Sequence, residues 1–122
     1  MKKILEETLG KNIDLNNSNL VIQKFGNLSI KIDDDLFAIK PSGVDLNKIK
    51  SNDISIVNFD GEHLSGLKPS VDTPTHIYLY KNFKSIGSIV HTHSLYASSW
   101  AQSLMSIPAY GTTHADYVNG DL

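Results

Sequence analysis

His91 and His93 carry the clearest chemical potential in the chain, because they close the apolar run Ile89-Val90 as a His-x-His motif. Side chains two apart on a β-strand share a face, so a buried strand ending this way delivers two imidazoles to one side. That is metal-ligand geometry: neutral imidazole nitrogens bind zinc at about 2.0–2.1 Å. A pair of surface or core histidines with no ligand role is the alternative, and the motif alone does not separate the two. Asp72 and Asp116 complete the candidate chemical set. Asp72 opens a predicted helix, the histidines end a predicted strand and Asp116 falls in a predicted loop; sites are commonly built from such element ends. The chain has no cysteine, so any metal must sit on His, Asp or Glu.

Elements to position these residues follow from the apolar patterning. Residues 1 to about 11 place Ile4, Leu5, Thr8 and Leu9 at helical spacing, with Gly10 as the stop and residues 12–19 as a loop. Ile30, Ile32, Leu36, Ala38 and Ile39 alternate around Asp33-Asp34-Asp35, which predicts a β-hairpin with a solvated turn. The three adjacent aspartates lack the spaced ligands and distal Glu of a calcium loop. Ile54, Ile56 and Asn58 predict a further strand, followed by a turn at Asp60-Gly61. Asp72 or Thr73 as N-cap and Pro74 in the first turn predict a helix to about residue 82, with Ile77, Leu79 or Tyr80 and Phe83 against a sheet. A strand over Ser88–His91 follows. A second helix from near Ser94 carries Ala97, Trp100, Ala101 and Leu104 on one face until Pro108 stops it, and residues 110–117 read as a polar loop.

Two Lys-Pro-Ser triplets, Lys40-Pro41-Ser42 (with Gly43 next) and Lys68-Pro69-Ser70, fall at element boundaries. A Ser-Gly turn offers an anion a hydroxyl and backbone N–H groups, and the lysine adds charge; ordinary turn chemistry explains the same residues. His63 and His76 read as surface or packing residues, and His114 as a residue orienting the segment that carries Asp116. Trp100 and the tyrosines read as core and interface.

The 122 residues make one domain with a core of ordinary size. A net charge of −2, with all eleven positive residues scattered lysines, leaves no electrostatic footprint for nucleic acid. No apolar stretch approaches a membrane span, and the N-terminus leads into an acidic amphipathic segment rather than a signal-peptide core, so the expected location is the cytoplasm.

The run His91-Thr92-His93-Ser94, with Ala97, Trp100-Ala101-Gln102, Pro108-Ala109 and Gly111-Thr112-Thr113-His114-Ala115-Asp116-Tyr117, closely resembles the L-ribulose-5-phosphate 4-epimerases of the class II aldolase/epimerase superfamily. The resemblance extends upstream through Asp72-Thr73-Pro74-Thr75-His76, Lys68-Pro69-Ser70, Lys40-Pro41-Ser42-Gly43-Val44-Asp45 and Gly26-Asn27-Leu28-Ser29. It implies an α/β fold of class II aldolase type, with a central, largely antiparallel or mixed sheet flanked by helices. It also implies inversion of one stereocentre in a phosphorylated pentulose by retro-aldol cleavage and re-closure, with Zn²⁺ or another divalent ion as Lewis acid. By the same resemblance His91, His93 and Asp72 match the residues at the metal, and Asp116 matches a catalytic acid/base. Asn27, Lys40, Ser42, Gly43 and Ser70 match the phosphate-binding loops, and the assembly is a homo-oligomer, a tetramer in the family.

Two departures accompany the resemblance. Val71 stands where the family often has a second serine. Family members also continue beyond the position of Leu122 and supply there a third histidine ligand and a tyrosine acid/base, so the chain is expected to be the N-terminal part of a single domain of this type. The runner-up is a sugar 1-phosphate aldolase, in which Glu usually stands at the position of Asp72; a catalytically incomplete homologue is the other.

Overall fold

The computed structural model describes residues 1–22 and 25–122. The described chain divides into two compact units, Met1–Thr92 and His93–Leu122. The first holds a five-stranded sheet in the order β4-β3-β2-β1-β5, with every neighbouring pair antiparallel. Its strands are β1 (Asn27–Lys31), β2 (Leu36–Ile39), β3 (Ser55–Asn58), β4 (His63–Ser65) and β5 (Ser88–His91), and its helices are α1 (Lys2–Asn16) and α2 (Thr73–Asn82). This is the mixed α/β architecture, a largely antiparallel sheet flanked by helices, that the resemblance implies.

Strand alternation sorts the core onto two faces. Phe37, Ile39, Val57 and Phe59 pack with Tyr80 of α2. Ala38, Ile54 and Ile56, one residue out of step, pack with Leu5 of α1. The three aromatic rings on the α2 face lie 5.4–6.0 Å apart, with Phe59 and Tyr80 nearly parallel at 9°, within the distance range that favours aromatic pairs. In the hairpin, the Asp33 carboxylate accepts the backbone N–H groups of Asp35 and Leu36, both at 2.9 Å, so the aspartates do serve as a solvated turn.

Several boundaries differ from the sequence expectation. α1 runs through Gly10 to Asn16 rather than stopping near residue 11. Asn12 explains the extension: its buried amide donates to the carbonyls of Thr8 and Leu28 and accepts the N–H of Leu28, at 2.8, 3.0 and 2.8 Å. A side chain that looks like a loop signal is thus satisfied by a strand backbone brought close only on folding. β4 has no apolar alternation to announce it and is wholly exposed. Phe83, expected against the sheet, lies just past α2 and is 55% exposed. β5 is an edge strand with alternating exposure rather than a buried one.

The second unit holds α3 (Leu95–Gln102) and α4 (Thr112–Tyr117). α3 ends well before Pro108, and Leu104, expected on its apolar face, has a left-handed φ of 53° and is exposed. The segment read as a polar loop contains α4, so Asp116 lies on a short helix. Ile107 and Leu122 exchange backbone hydrogen bonds at 2.8 and 3.1 Å.

Candidate functional site

Antiparallel pairing of β1 with β5 sets Asn27 directly opposite His91 and Ser29 opposite Ile89. Cross-strand partners share a face, and Ser29 also pairs with Ile39 of the α2-facing core. Asn27 and His91 therefore project toward α2. Asp72 arrives there as the N-cap of that helix, preceding the Thr73-Pro74 start that the sequence predicts. Its side chain makes no capping bond. Instead Asp72 Oδ2 accepts Asn27 Nδ2 at 2.6 Å and His91 Nδ1 at 3.0 Å.

This shared acceptor fixes the protonation pattern. A carboxylate only accepts, so Nδ1 of His91 carries a proton, and in the neutral ring Nε2 is then the nitrogen a metal would take. Asn27 Nδ2 and His91 Nδ1 lie 3.5 Å apart because both donate to one oxygen, not because they bond to each other. Burial pulls the Asp72 carboxyl upward, but the hydrogen bonds from Asn27 and His91 outweigh it and hold Asp72 below the usual carboxylate range. Asn27 itself is 2% exposed, and its Oδ1 is buried without a partner among the described residues. Gly26 makes the close approach possible: at φ +90° it sits where a Cβ would come within 2.9 Å of the His91 carbonyl oxygen.

Below this cluster on the same face, His76 of α2 is 1% exposed. Its Nδ1 lies 2.7 Å from Ser29 Oγ, which lies 2.8 Å from Tyr80 Oη. Burial pushes the His76 imidazole down to about 4, so the ring is neutral. His76 is thus a packing residue with a defined hydrogen-bond partner; spacing four residues after Asp72 is the only sequence signal that sets it beside the cluster.

The two Lys-Pro-Ser triplets meet in space. Pro41 bridges to Pro69, Ser42 N–H donates to the Lys68 carbonyl at 2.9 Å and Ser70 N–H donates to the Lys40 carbonyl at 3.1 Å. Ser42 and Gly43 form a turn, with Gly43 at φ +68°, while Lys40 is buried at the end of β2. Ser70 reaches the next loop, its Oγ accepting the N–H of Asp72 at 3.3 Å. Lys40, Ser42, Gly43 and Ser70 therefore belong to one paired segment, whereas the Asn27 amide nitrogen is committed to Asp72.

His93 and Asp116 belong to the second unit. β5 ends at His91, so strand periodicity does not carry the direction of that imidazole on to His93. His93 is half-buried and Asp116 is exposed. His114 Nε2 lies 2.9 Å from the Gly120 carbonyl and ties α4 to the turn that follows it. Among the described residues no three His, Asp or Glu side chains form a group that could hold a metal ion. The donor chemistry at Asp72 and His91 nevertheless suits a divalent ion: a carboxylate on Nδ1 and a lone pair on Nε2 form the usual outer support of a metal-bound histidine.

The layered fold and a carboxylate-oriented histidine at the sheet edge define a class, and sequence comparison agrees with it: the chain belongs to the Class II Aldolase and Adducin N-terminal domain family, whose sequence model matches residues 10–122. Over an alignment 124 positions long it is 45% identical to the L-ribulose-5-phosphate 4-epimerase UlaF of Salmonella paratyphi B (strain ATCC BAA-1250 / SPB7), and equally so to that of Salmonella typhi. Each alignment covers 100% of this chain and 54% of the relative, so the chain spans about half the length of the curated relatives it matches. Among solved structures, an L-fuculose 1-phosphate aldolase superposes with a TM-score of 0.79 at 31% identity, covering 88% of this chain and 51% of that one. The L-fuculose-1-phosphate aldolase of Thermus thermophilus shares the fold with a TM-score of 0.77 at 23% identity, over 96% and 60% of the two chains.

Proposed function

We propose that the chain carries the metal-binding and phosphate-binding residues of a sugar-phosphate epimerase that interconverts L-ribulose 5-phosphate and D-xylulose 5-phosphate. The observation that carries this reading is the shared carboxylate of Asp72, which sets His91 in a metal-ligand tautomer at the end of β5. The likeness to UlaF supports the choice of substrate.

In this reading His91, His93 and Asp72 lie at a divalent cation, with Zn²⁺ suited to the imidazoles. When bound, the ion supplies Lewis acidity to the ligand's oxygens. Asn27 holds the Asp72 carboxylate in its orientation. Lys40, Ser42, Gly43 and Ser70 hold the phosphate through one charge, two hydroxyls and the Gly43 backbone N–H, in a chain that has no arginine. Cleavage of the C3–C4 bond requires the C4 hydroxyl to lose its proton, and re-closure on the opposite face of the resulting carbonyl returns one. Asp116 takes or returns that proton on one of the two faces. The protein acts as a cytoplasmic homo-oligomer, a tetramer by family resemblance. No helix among the described residues is long and apolar enough to cross a membrane.

A second reading, a class II aldolase acting on a sugar 1-phosphate, is favoured by the structural likeness to L-fuculose 1-phosphate aldolase. The short Asp72 side chain, engaged by both Asn27 and His91, argues for the epimerase. Supplying the protein expressed from its whole open reading frame with Zn²⁺ and either L-ribulose 5-phosphate or L-fuculose 1-phosphate separates the readings. The epimerase reading expects D-xylulose 5-phosphate. Cleavage of L-fuculose 1-phosphate without epimerisation would favour the aldolase, and neither activity would leave a non-catalytic homologue.

A further inference from the structure

We propose that His76 presents a fixed Nε2–H donor to the cavity between α2 and β5, where it positions an oxygen atom of the ligand held at Asp72 and His91. The ligand clause rests on the sugar-phosphate reading above; the donor clause does not.

Hydrogen-bond bookkeeping in the buried trio Tyr80, Ser29 and His76 leads to the donor. The three are at most 1% exposed and are linked by two contacts only, Tyr80 Oη to Ser29 Oγ and Ser29 Oγ to His76 Nδ1. If His76 Nδ1 held the ring proton, it would donate to Ser29. Ser29 would then pass its own hydrogen to Tyr80 and strand the tyrosine hydrogen, or accept from both neighbours and strand its own. A buried donor without an acceptor is costly. One arrangement pairs every hydrogen held between the three: Tyr80 donates to Ser29, Ser29 donates to His76 Nδ1, and the ring proton sits on Nε2, the position that borders a cavity.

The donor faces open space. His76 lines a cavity of about 350 Å³ together with Asp72 and His91 at one end and Leu79 and Ile89 on its walls. Nε2 has no hydrogen-bond partner among the described residues. It is also not among their fully enclosed unpartnered side-chain atoms, of which Asn27 Oδ1 is the sole example, so it retains access to the cavity. An apolar-walled cavity with a carboxylate acceptor and a neutral N–H donor suits a ligand that brings both a hydroxyl and a carbonyl oxygen.

Long-range ¹H–¹⁵N correlation spectra of the uniformly ¹⁵N-labelled chain near neutral pH test this without a substitution. The expected result is an Nε2–H tautomer at His76, with its Nε2 proton shifting on addition of L-ribulose 5-phosphate. Ser29→Ala should relax the tautomer toward a mixture. His76→Gln, which keeps an N–H donor, should bind the sugar phosphate more tightly than His76→Leu by about tenfold or more, with the other resonances of the fold unchanged. An Nδ1–H tautomer in the unsubstituted chain would overturn the proposal. So would an Nε2 proton unmoved by a sugar phosphate that shifts the His91 resonances. A chain that keeps the Nε2–H tautomer but shows no response to the sugar phosphate at any resonance would support the donor clause and overturn the ligand clause together with the reading it rests on.

Discussion

Asn27 and His91 face each other across the β1–β5 ladder and donate to the same carboxylate oxygen, Asp72 Oδ2, at 2.6 and 3.0 Å. The strand register thus brings together residues 64 positions apart, and the N-cap of α2 joins them. Each member constrains the others: Asn27 fixes the carboxylate, and the carboxylate fixes the imidazole tautomer.

Asn27→Ala removes a buried amide and leaves Asp72 with one donor. We expect a loss of about 1–3 kcal/mol in folding stability, read from urea unfolding. Zn²⁺ affinity should fall about 10- to 100-fold, as for other outer-shell partners of metal-bound histidines. Unchanged Zn²⁺ affinity in a folded variant would show that Asn27 does not act on His91 through Asp72.

Gly10 and Asn12 give opposite predictions within one helix. Gly10 is exposed on α1 with open space around the position of a Cβ, so Gly10→Ala should stabilise the chain by about 0.5–1 kcal/mol. Asn12→Ala severs both bonds to Leu28 and should cost about 1–3 kcal/mol. Thermal unfolding of the two variants should therefore shift in opposite directions.

Those two residues also mark the limit of what the sequence makes legible. The start of α2 and the β1–β2 hairpin are readable because their determinants are local: Asp72-Thr73-Pro74 for one, an aspartate turn between alternating apolar residues for the other. The continuation of α1 is not, because Asn12 is satisfied by Leu28, sixteen residues away. The candidate site divides in the same way. His91 and Asp72 stand out by type and position, whereas the contact of Asn27 with Asp72 depends on a strand register that spacing does not reveal. The meeting of the two Lys-Pro-Ser triplets through Pro41 and Pro69 is equally invisible in one dimension.

Acid should destabilise the fold in a defined window. His76 titrates near 4 in the folded chain against an ordinary value of 6.5, and it is surrounded by Ser29, Tyr80, Asp72 and His91. Its folded-state value is depressed, so its contribution is complete above about pH 6.5 and is lost as pH falls to about 4, because the unfolded chain takes up the proton first. The full effect is on the order of 3 kcal/mol. Asp72, also held below its ordinary range, adds a loss of the same sign at lower pH. Urea unfolding at pH 7 and pH 4.5 should show the decline, and His76→Gln should remove most of it between those values.

The phosphate site proposed at the paired triplets predicts a selective defect in Ser42→Ala. The hydroxyl sits in a partly exposed turn and its loss should leave stability nearly unchanged, while affinity for L-ribulose 5-phosphate falls about tenfold, the equivalent of one charge-assisted hydrogen bond. Isothermal titration of the variant against the unsubstituted chain reads this directly. An equal affinity would remove Ser42 from the phosphate site.

Zn²⁺ titration of the purified chain beside its His91→Ala variant, with both shown to be folded, is the most direct test of the metal site proposed at Asp72 and His91. We predict saturable one-site uptake that is abolished by His91→Ala and weakened about 10- to 100-fold by Asp72→Asn. Equal uptake by the unsubstituted chain and His91→Ala would contradict the assignment of this cluster as a metal site.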